Sequence, residues 1–128
     1  MLMVWLLTTE GNREIWNPTW TQIQEAILEM DGAHSNEIEV KLEGTGSLII
    51  GGGDGKRYIV VYIPEDDAEE AYSVTLVDES LMGPDVTLTV QTPAEYRSRM
   101  AVQLPLVLQV VEQFYNTGKL SEDVSWEP

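Results

Sequence analysis

Cysteine is absent from this chain of 128 residues, and histidine occurs only once. Without cysteine the chain forms no disulfide, carries no thiolate nucleophile and builds no thiolate metal site. The single histidine, His34, lies beside Gly32 in an expected turn, and we interpret it as a solvent-exposed loop residue. We therefore expect no metal and no cofactor. The lack of disulfides also fits a reducing compartment, so a cytoplasmic protein is expected.

Basic residues are scarce. The chain has 7 Lys and Arg against 22 Asp and Glu, a formal net charge of −15. Such an excess steers a protein toward positive surfaces and opposes binding to nucleic acid or to an anionic membrane. Nine acids and no base occur between Tyr58 and Tyr96. A solvated acidic face kept for solubility is one interpretation, but the uneven distribution favours a site for a basic partner.

Long apolar runs are also missing. No stretch approaches the 18 apolar residues of a membrane span. The segment from Met1 to Thr8 lacks the basic start and the cleavage site of a signal peptide, and we interpret it as an opening strand. A chain of 128 residues with 43% hydrophobic residues predicts one domain, residues 1–128, around one core.

Two helices are predicted from the spacing of apolar residues. The first begins after Asn17, which caps it with Pro18 in the first turn, or alternatively at a capping box of Thr19 with Gln22. Its apolar face and its stop are formed by Trp20, Ile23, Ile27, Met30 and Gly32. The second helix is predicted from Leu104 to Asn116, with Gly118 as its stop.

Strands are predicted where the apolar residues alternate or form short runs between turns. Glu10 to Asn17 is expected to be a loop. The predicted strands cover Glu37–Glu43, Ser47–Ile50, Arg57–Ile63, Ala71–Val77 and Val86–Val90. These elements predict an α+β fold, in which an antiparallel meander of about five to seven strands carries the N-terminal and the C-terminal helix on one face.

The residue patterns do not predict an enzyme. The run from Gly51 to Lys56 lacks the spacing of a phosphate-binding loop and leads into a strand, so it indicates a hairpin turn. Acids are so abundant that no carboxylate pair stands out as catalytic. Among the four tryptophans, Trp5 and Trp20 are expected in the core. Trp16 and Trp126 lie in polar stretches, where each either covers the core edge or anchors a partner.

Several sequence motifs carry a family resemblance. A helix ending at Asp31-Gly32 is followed by a strand and by Leu48-Ile49-Ile50-Gly51-Gly52-Gly53, which leads through Gly55 to the Tyr58–Tyr62 strand. The match closes with two segments, which are its more specific part: Phe114-Tyr115-Asn116-Thr117-Gly118 and then Val124-Ser125-Trp126-Glu127. Over most of its length the chain resembles the Imm-one family, the immunity proteins of bacterial polymorphic toxin systems.

The resemblance implies an inhibitor that binds and neutralises a cognate toxin encoded beside it. The toxins partnered with this family are often nucleic-acid deaminases, with nucleases as an alternative. The partner is then expected to be a basic toxin domain, and neither a nucleic acid nor a membrane. The resemblance implies structural roles for the motif residues Gly51, Gly52, Phe114, Gly118 and Trp126.

Charge rather than the motifs gives the candidate contact residues. We define the acidic segment as Glu65, Asp66, Asp67, Glu69 and Glu70, and we predict that it binds the toxin, with Asp78 and Glu79 as extensions. An acidic adaptor or secretion-chaperone-like module that leaves toxin catalysis intact is the alternative function. The sequence leaves the oligomeric state open.

Overall fold

The computed structural model describes residues 3–65 and 72–128. Within these residues the chain forms two α-helices and ten strands. In chain order they are β1 (Trp5–Thr9), β2 (Arg13–Trp16), α1 (Trp20–Leu28), β3 (Glu37–Leu42), β4 (Gly46–Gly52), β5 (Arg57–Pro64), β6 (Val74–Val77), β7 (Val86–Val90), β8 (Thr92–Tyr96), β9 (Val102–Gln103), α2 (Leu104–Thr117) and β10 (Ser125–Glu127).

The main sheet is antiparallel throughout. Its strand order is β10-β6-β5-β4-β3-β1-β2, and the short strand β9 also pairs with β5. Strands β7 and β8 form a separate hairpin. Because β3, β4 and β5 follow one another through short turns, they form the expected meander. Strand β1 precedes α1 in the chain and pairs with β3, the first strand after that helix. The prediction of an α+β fold with an antiparallel sheet is therefore confirmed.

Both helices pack on one face of the sheet and close the hydrophobic core there. Ile23 and Ile27 of α1 are fully buried, as are Val107, Val110 and Phe114 of α2. The Phe114 ring meets the Trp5 ring edge to face, with centroids 5.1 Å apart and an interplanar angle of 88°. This geometry suits the quadrupoles of the two rings, and it locks α2 onto strand β1.

The helix ends follow the capping chemistry of the sequence in part. Thr19 and Gln22 form the capping box that was the alternative start of α1, so the cap expected at Asn17 was wrong. Asn17 instead has φ 50° and accepts a hydrogen bond from the backbone N–H of Trp5 at 3.1 Å. Helix α1 ends at Leu28, so Gly32, with φ 77°, lies in the turn that follows. Gly118, with φ 72°, ends α2 as predicted.

The structure contains strands that the sequence did not predict. Glu10–Asn17 was expected to be a loop, which is wrong for Arg13–Trp16, the strand β2. The strand was missed because it lies at the sheet edge, where it pairs only with β1 and buries little apolar surface. Strand β8 was missed because Pro93 interrupts its pattern. The predicted strand Ala71–Val77 begins at Val74, and Ala71 lies outside the described residues.

Part of the second face of the sheet is covered by the hairpin β7–β8. There the hairpin β7–β8 lies over Gly51, where an added Cβ would fall 2.6 Å from a methyl group of Val90. The 3₁₀ turn Ser98–Met100 contacts β5 and β6. Arg57 holds that turn by donating to the backbone oxygens of Ser98, at 2.8 Å, and Ala101.

Candidate partner-binding surface

Glu65 is the member of the acidic segment that the structure describes. Its backbone N–H donates to the Thr45 oxygen at 3.0 Å, and its carboxylate accepts from the Gly44 N–H at 2.8 Å. Glu65 therefore lies at the end of the sheet where β3 turns into β4, and its side chain is exposed. The other members, Asp66, Asp67, Glu69 and Glu70, lie outside the described residues.

Asp78 and Glu79 follow β6 at its far end. Since Tyr62 of β5 pairs with Val74 at the start of β6, the strand β6 separates these two acids from Glu65. Asp78 accepts hydrogen bonds from the backbone N–H and the hydroxyl of Ser80, at 3.0 and 2.6 Å. Glu79 is exposed and lies 3.9 Å from Arg99. The structure does not bring them together with Glu65, and their role in binding stays a prediction.

The glycines of the family motifs occupy positions with little room for a side chain. Gly51 faces Val90, as described above. Gly52 has φ 95°, and its added Cβ would lie 3.0 Å from the Arg57 oxygen. Gly118 donates its N–H to the Phe114 oxygen at 2.7 Å, and its added Cβ would lie 2.9 Å from a methyl group of Leu42. Each glycine thus allows a close approach or a left-handed turn.

The aromatic motif residues lie at the core and its margin. Phe114 is fully buried. Trp126 of β10 pairs with Leu76 of β6, packs against the core and donates its indole N–H to the Ser121 oxygen at 3.1 Å. This hydrogen bond satisfies the polar atom of the half-buried indole, and it holds the C-terminal strand in place.

The part of the second sheet face that residues 3–65 and 72–128 leave uncovered is the surface that the sequence predictions missed. Its side chains follow from the strand register, because residues alternate between the two faces. In one row across the sheet Trp16, Leu6, Lys41, Ser47 and Ile63 lie opposite one another in turn. The next row contains Glu14, Thr8, Glu39, Ile49 and Val61. We define the open sheet face by Glu14, Trp16, Glu39, Lys41, Ile49, Val61 and Ile63.

Burial separates the two faces in the middle of β4 and in β5, whereas Leu6 and Ser47 of the first row are buried, each at 7% exposure. Leu48 and Ile50 of β4 are fully buried, while Ile49 between them is only half-buried. In β5 Val60 is fully buried, whereas Ile63 is 47% exposed. Trp16 at the sheet edge is 54% exposed. A solvated face of an antiparallel sheet normally carries polar residues at such positions, so these aliphatic and aromatic side chains form an unusual surface.

Carboxylates lie both on the open sheet face and beside it. Glu14 and Glu39 belong to it, and Glu43 lies beside it because its carboxylate is 3.9 Å from the ammonium group of Lys41. Glu65 lies at the same end of the sheet, next to the β3–β4 turn. The single base of the open sheet face thus has an acidic neighbour, and the potential over the surface is negative.

An open cleft of about 450 Å³ lies between α1 and strands β1 and β2 on the helical side. His34 is at its mouth, with its side chain 96% exposed and 3.3 Å from the carboxylate of Asp31. Backbone N–H groups of Ala33 and Ser35 donate to Asp31 and lower its pKa to about 2. A carboxyl group with so low a pKa is a poor acid or base near neutral pH. Among residues 3–65 and 72–128 no group of three His, Asp or Glu side chains is arranged to hold a metal ion.

These observations define a small acidic α+β protein with an exposed apolar sheet face and a negative rim. The family described as Immunity protein Imm1 matches residues 11–128, and the chain therefore belongs to the Imm1 family of immunity proteins. Membership indicates a toxin-neutralising function with a cognate toxin as partner, and such a family is generally not catalytic.

No curated protein matches the chain, and no solved structure matches it. Neither helix in the described part of the chain combines the length and the apolar character that a membrane crossing requires.

The sequence does contain a signal for the open sheet face. Leu48–Ile50 and Tyr58–Ile63 are unbroken apolar runs, whereas a strand with one solvated face alternates apolar and polar residues. An unbroken run is typical of a strand that is covered on both faces. The described residues cover only part of the second face at β4 and β5, so part of this apolar surface stays exposed among them.

Proposed function

We propose that the protein binds a cognate toxin domain that acts on nucleic acid, such as a deaminase, and covers its active site or substrate channel. The observation that carries the proposal is membership of the immunity family over residues 11–128, together with the net charge of −15. The protein acts in the cytoplasm as a non-catalytic inhibitor.

The charge supports the choice of toxin class. An enzyme that acts on DNA or RNA needs a basic channel for the phosphate backbone, and a deaminase must also draw its target base into a pocket. An acidic protein competes with the nucleic acid for that channel. Complementary charge also accelerates encounter, which matters because the toxin has to be captured before it modifies its substrate.

The acidic segment contributes to this capture. Glu65 anchors one end of the segment to the β3–β4 turn, beside Glu43 and the open sheet face. We propose that the charge of the segment raises the association rate, while single exposed acids contribute little.

The proposal is tested with the C-terminal domain of the secreted protein that is encoded immediately upstream. Co-expression with the present protein should restore growth, and the purified protein should inhibit the catalysis of that domain at equimolar concentration. Rescue without inhibition of catalysis would instead support the adaptor or secretion-chaperone function. If the protein neither rescues growth nor binds the domain, the proposal is contradicted.

The acidic segment is tested by neutralising its five members to Gln and Asn. At low salt we expect the association rate to fall about tenfold or more, with a weaker dependence on ionic strength. The matched control neutralises five exposed acids on the helical side or in the C-terminal loop, namely Glu25, Glu29, Glu112, Glu122 and Asp123. An equal effect in both variants would mean that net charge, and not the segment, sets the rate.

A further inference from the structure

We propose that the open sheet face is the surface on which the toxin domain docks, with Trp16 and Ile63 as its apolar anchors. This inference rests on the proposed function and adds where the contact lies. The interface is then formed by the strands β2, β1, β3, β4 and β5, and Glu65 lies beside it at the β3–β4 turn.

The first argument is the exposure of apolar side chains in the middle of a sheet. Ile49 and Val61 lie opposite each other on the two central strands, and neither is buried. The neighbouring row ends in Trp16 on one side and Ile63 on the other, at 54% and 47% exposure. Four inter-strand spacings separate these two, about 19 Å. The apolar side chains therefore form two groups, Trp16 with Leu6 at the sheet edge and Ile49, Val61 and Ile63 on β4 and β5, and Glu39 and Lys41 of β3 lie between them. Exposed apolar groups that are bordered by polar residues mark protein interaction sites.

The second argument concerns the occupant. Glu39 and Lys41 lie between the two apolar groups, Glu14, Glu43 and Glu65 lie around them, and Lys41 is paired with Glu43. A second copy of this chain would bring the same carboxylates into opposition, which costs free energy. A basic domain satisfies them instead. Its apolar residues would cover Ile49 and Val61 while its Lys and Arg side chains reach the rim.

The third argument is the position of Trp16. The strand β2 is at the sheet edge, and the Trp16 side chain lies opposite Leu6, which is itself 7% exposed. The indole therefore rests on a buried leucine and presents its outer surface to solvent. Tryptophan in such a setting combines a large contact area with few rotatable bonds and is enriched among interface hot spots.

The test compares two single substitutions that add the same charge to similarly exposed residues. Ile63→Lys changes the open sheet face, and Leu28→Lys changes the outer side of α1, where Leu28 is 53% exposed. Binding of the upstream toxin domain is measured by surface plasmon resonance. We expect Ile63→Lys to weaken binding by at least about 30-fold, the loss typical of a hot spot, and Leu28→Lys to weaken it less than about threefold.

Trp16→Ala provides an independent substitution at the other end of the row, and the same loss is expected. Thermal unfolding of each variant establishes that it folds. Because a folding defect would confuse these measurements, p-benzoylphenylalanine is also placed at positions 16 and 28 and irradiated with the toxin domain. We expect crosslinks from position 16 and none from position 28.

Distinct results would overturn the inference. If the wild-type protein binds the toxin domain and both Ile63→Lys and Trp16→Ala bind it with undiminished affinity, the contact lies elsewhere. The proposed function would then remain intact. Failure of the wild-type protein to bind the toxin domain would overturn both proposals. Sedimentation velocity tests whether the protein forms a dimer by itself. A dimer that Ile63→Lys dissociates would identify a second copy as the occupant and would also overturn the inference.

Discussion

Asp54 accepts two hydrogen bonds from Thr89, one from the backbone N–H and one from the hydroxyl, each 2.9 Å long. Asp54 lies in the turn between β4 and β5, and Thr89 lies in β7. The pair thus holds the hairpin β7–β8 over Gly51. Because the hairpin is held at this end of the sheet, it covers the second face around Gly51, and among the described residues it does not extend over the open sheet face.

Asp54→Ala should release the hairpin. The substitution removes a charged acceptor and leaves the two donor groups of half-buried Thr89 without it, so we expect the free energy of unfolding to fall by about 2 kcal/mol. Urea denaturation followed by tryptophan fluorescence measures the loss. Asp85→Ala, on an exposed residue before β7, is the control and should stay within about 0.5 kcal/mol. Equal stabilities of the two variants would contradict the assigned role.

Gly51 and Val90 should be coupled energetically. A Cβ on residue 51 would lie 2.6 and 2.8 Å from the two methyl groups of Val90. Gly51→Ala is therefore expected to lower the free energy of unfolding by about 1–3 kcal/mol. Adding Val90→Ala makes room for the methyl group, and the double variant should recover at least half of the loss. Strict additivity in this double-mutant cycle would show that the clash is not the cause.

Arg99 and Glu127 form a two-pronged ion pair between the Ser98–Met100 turn and strand β10. One of the two hydrogen bonds, from Nη2 to Oε2, is 2.9 Å long, and Nη1 donates to Oε1. Both side chains are about one-third exposed, so we expect Glu127→Gln to cost about 1 kcal/mol. The loss should shrink in 1 M NaCl, since salt screens partly exposed charges. A loss that is independent of salt would indicate a packing effect instead.

Asp31 should make stability depend on pH in the acid range. Its pKa is lowered from 3.8 to about 2 by the backbone N–H groups of Ala33 and Ser35. The folded state therefore gains stability from the charged form that is fully present above pH 4 and is lost as the pH falls toward 2. The difference in unfolding free energy between wild type and Asp31→Asn should shrink over this interval, as measured by urea denaturation at several pH values. A constant difference from pH 5 to pH 2 would contradict the assignment.

The helices and the central strands were predictable because local chemistry determines them. The capping box at Thr19 and the left-handed Gly118 define helix ends through interactions within one or two turns. The alternation from Glu37 to Leu42 places Ile38 and Val40 in the core. The edge strands β2 and β8 were missed, because an edge strand is defined by its one neighbour and carries a weak pattern of its own.

The sequence contained two signals of the candidate binding surface, its charge and the unbroken apolar runs of β4 and β5. The sequence by itself determined the acidic balance, the family motifs and the set of apolar side chains available for burial. Tertiary structure alone decided which of those side chains stay exposed. Trp16 and Ile63 are 47 residues apart in the chain, and they share a row because strand pairing across β1, β3 and β4 aligns them. Register is a long-range property, since a shift of one residue would move each of these side chains to the opposite face.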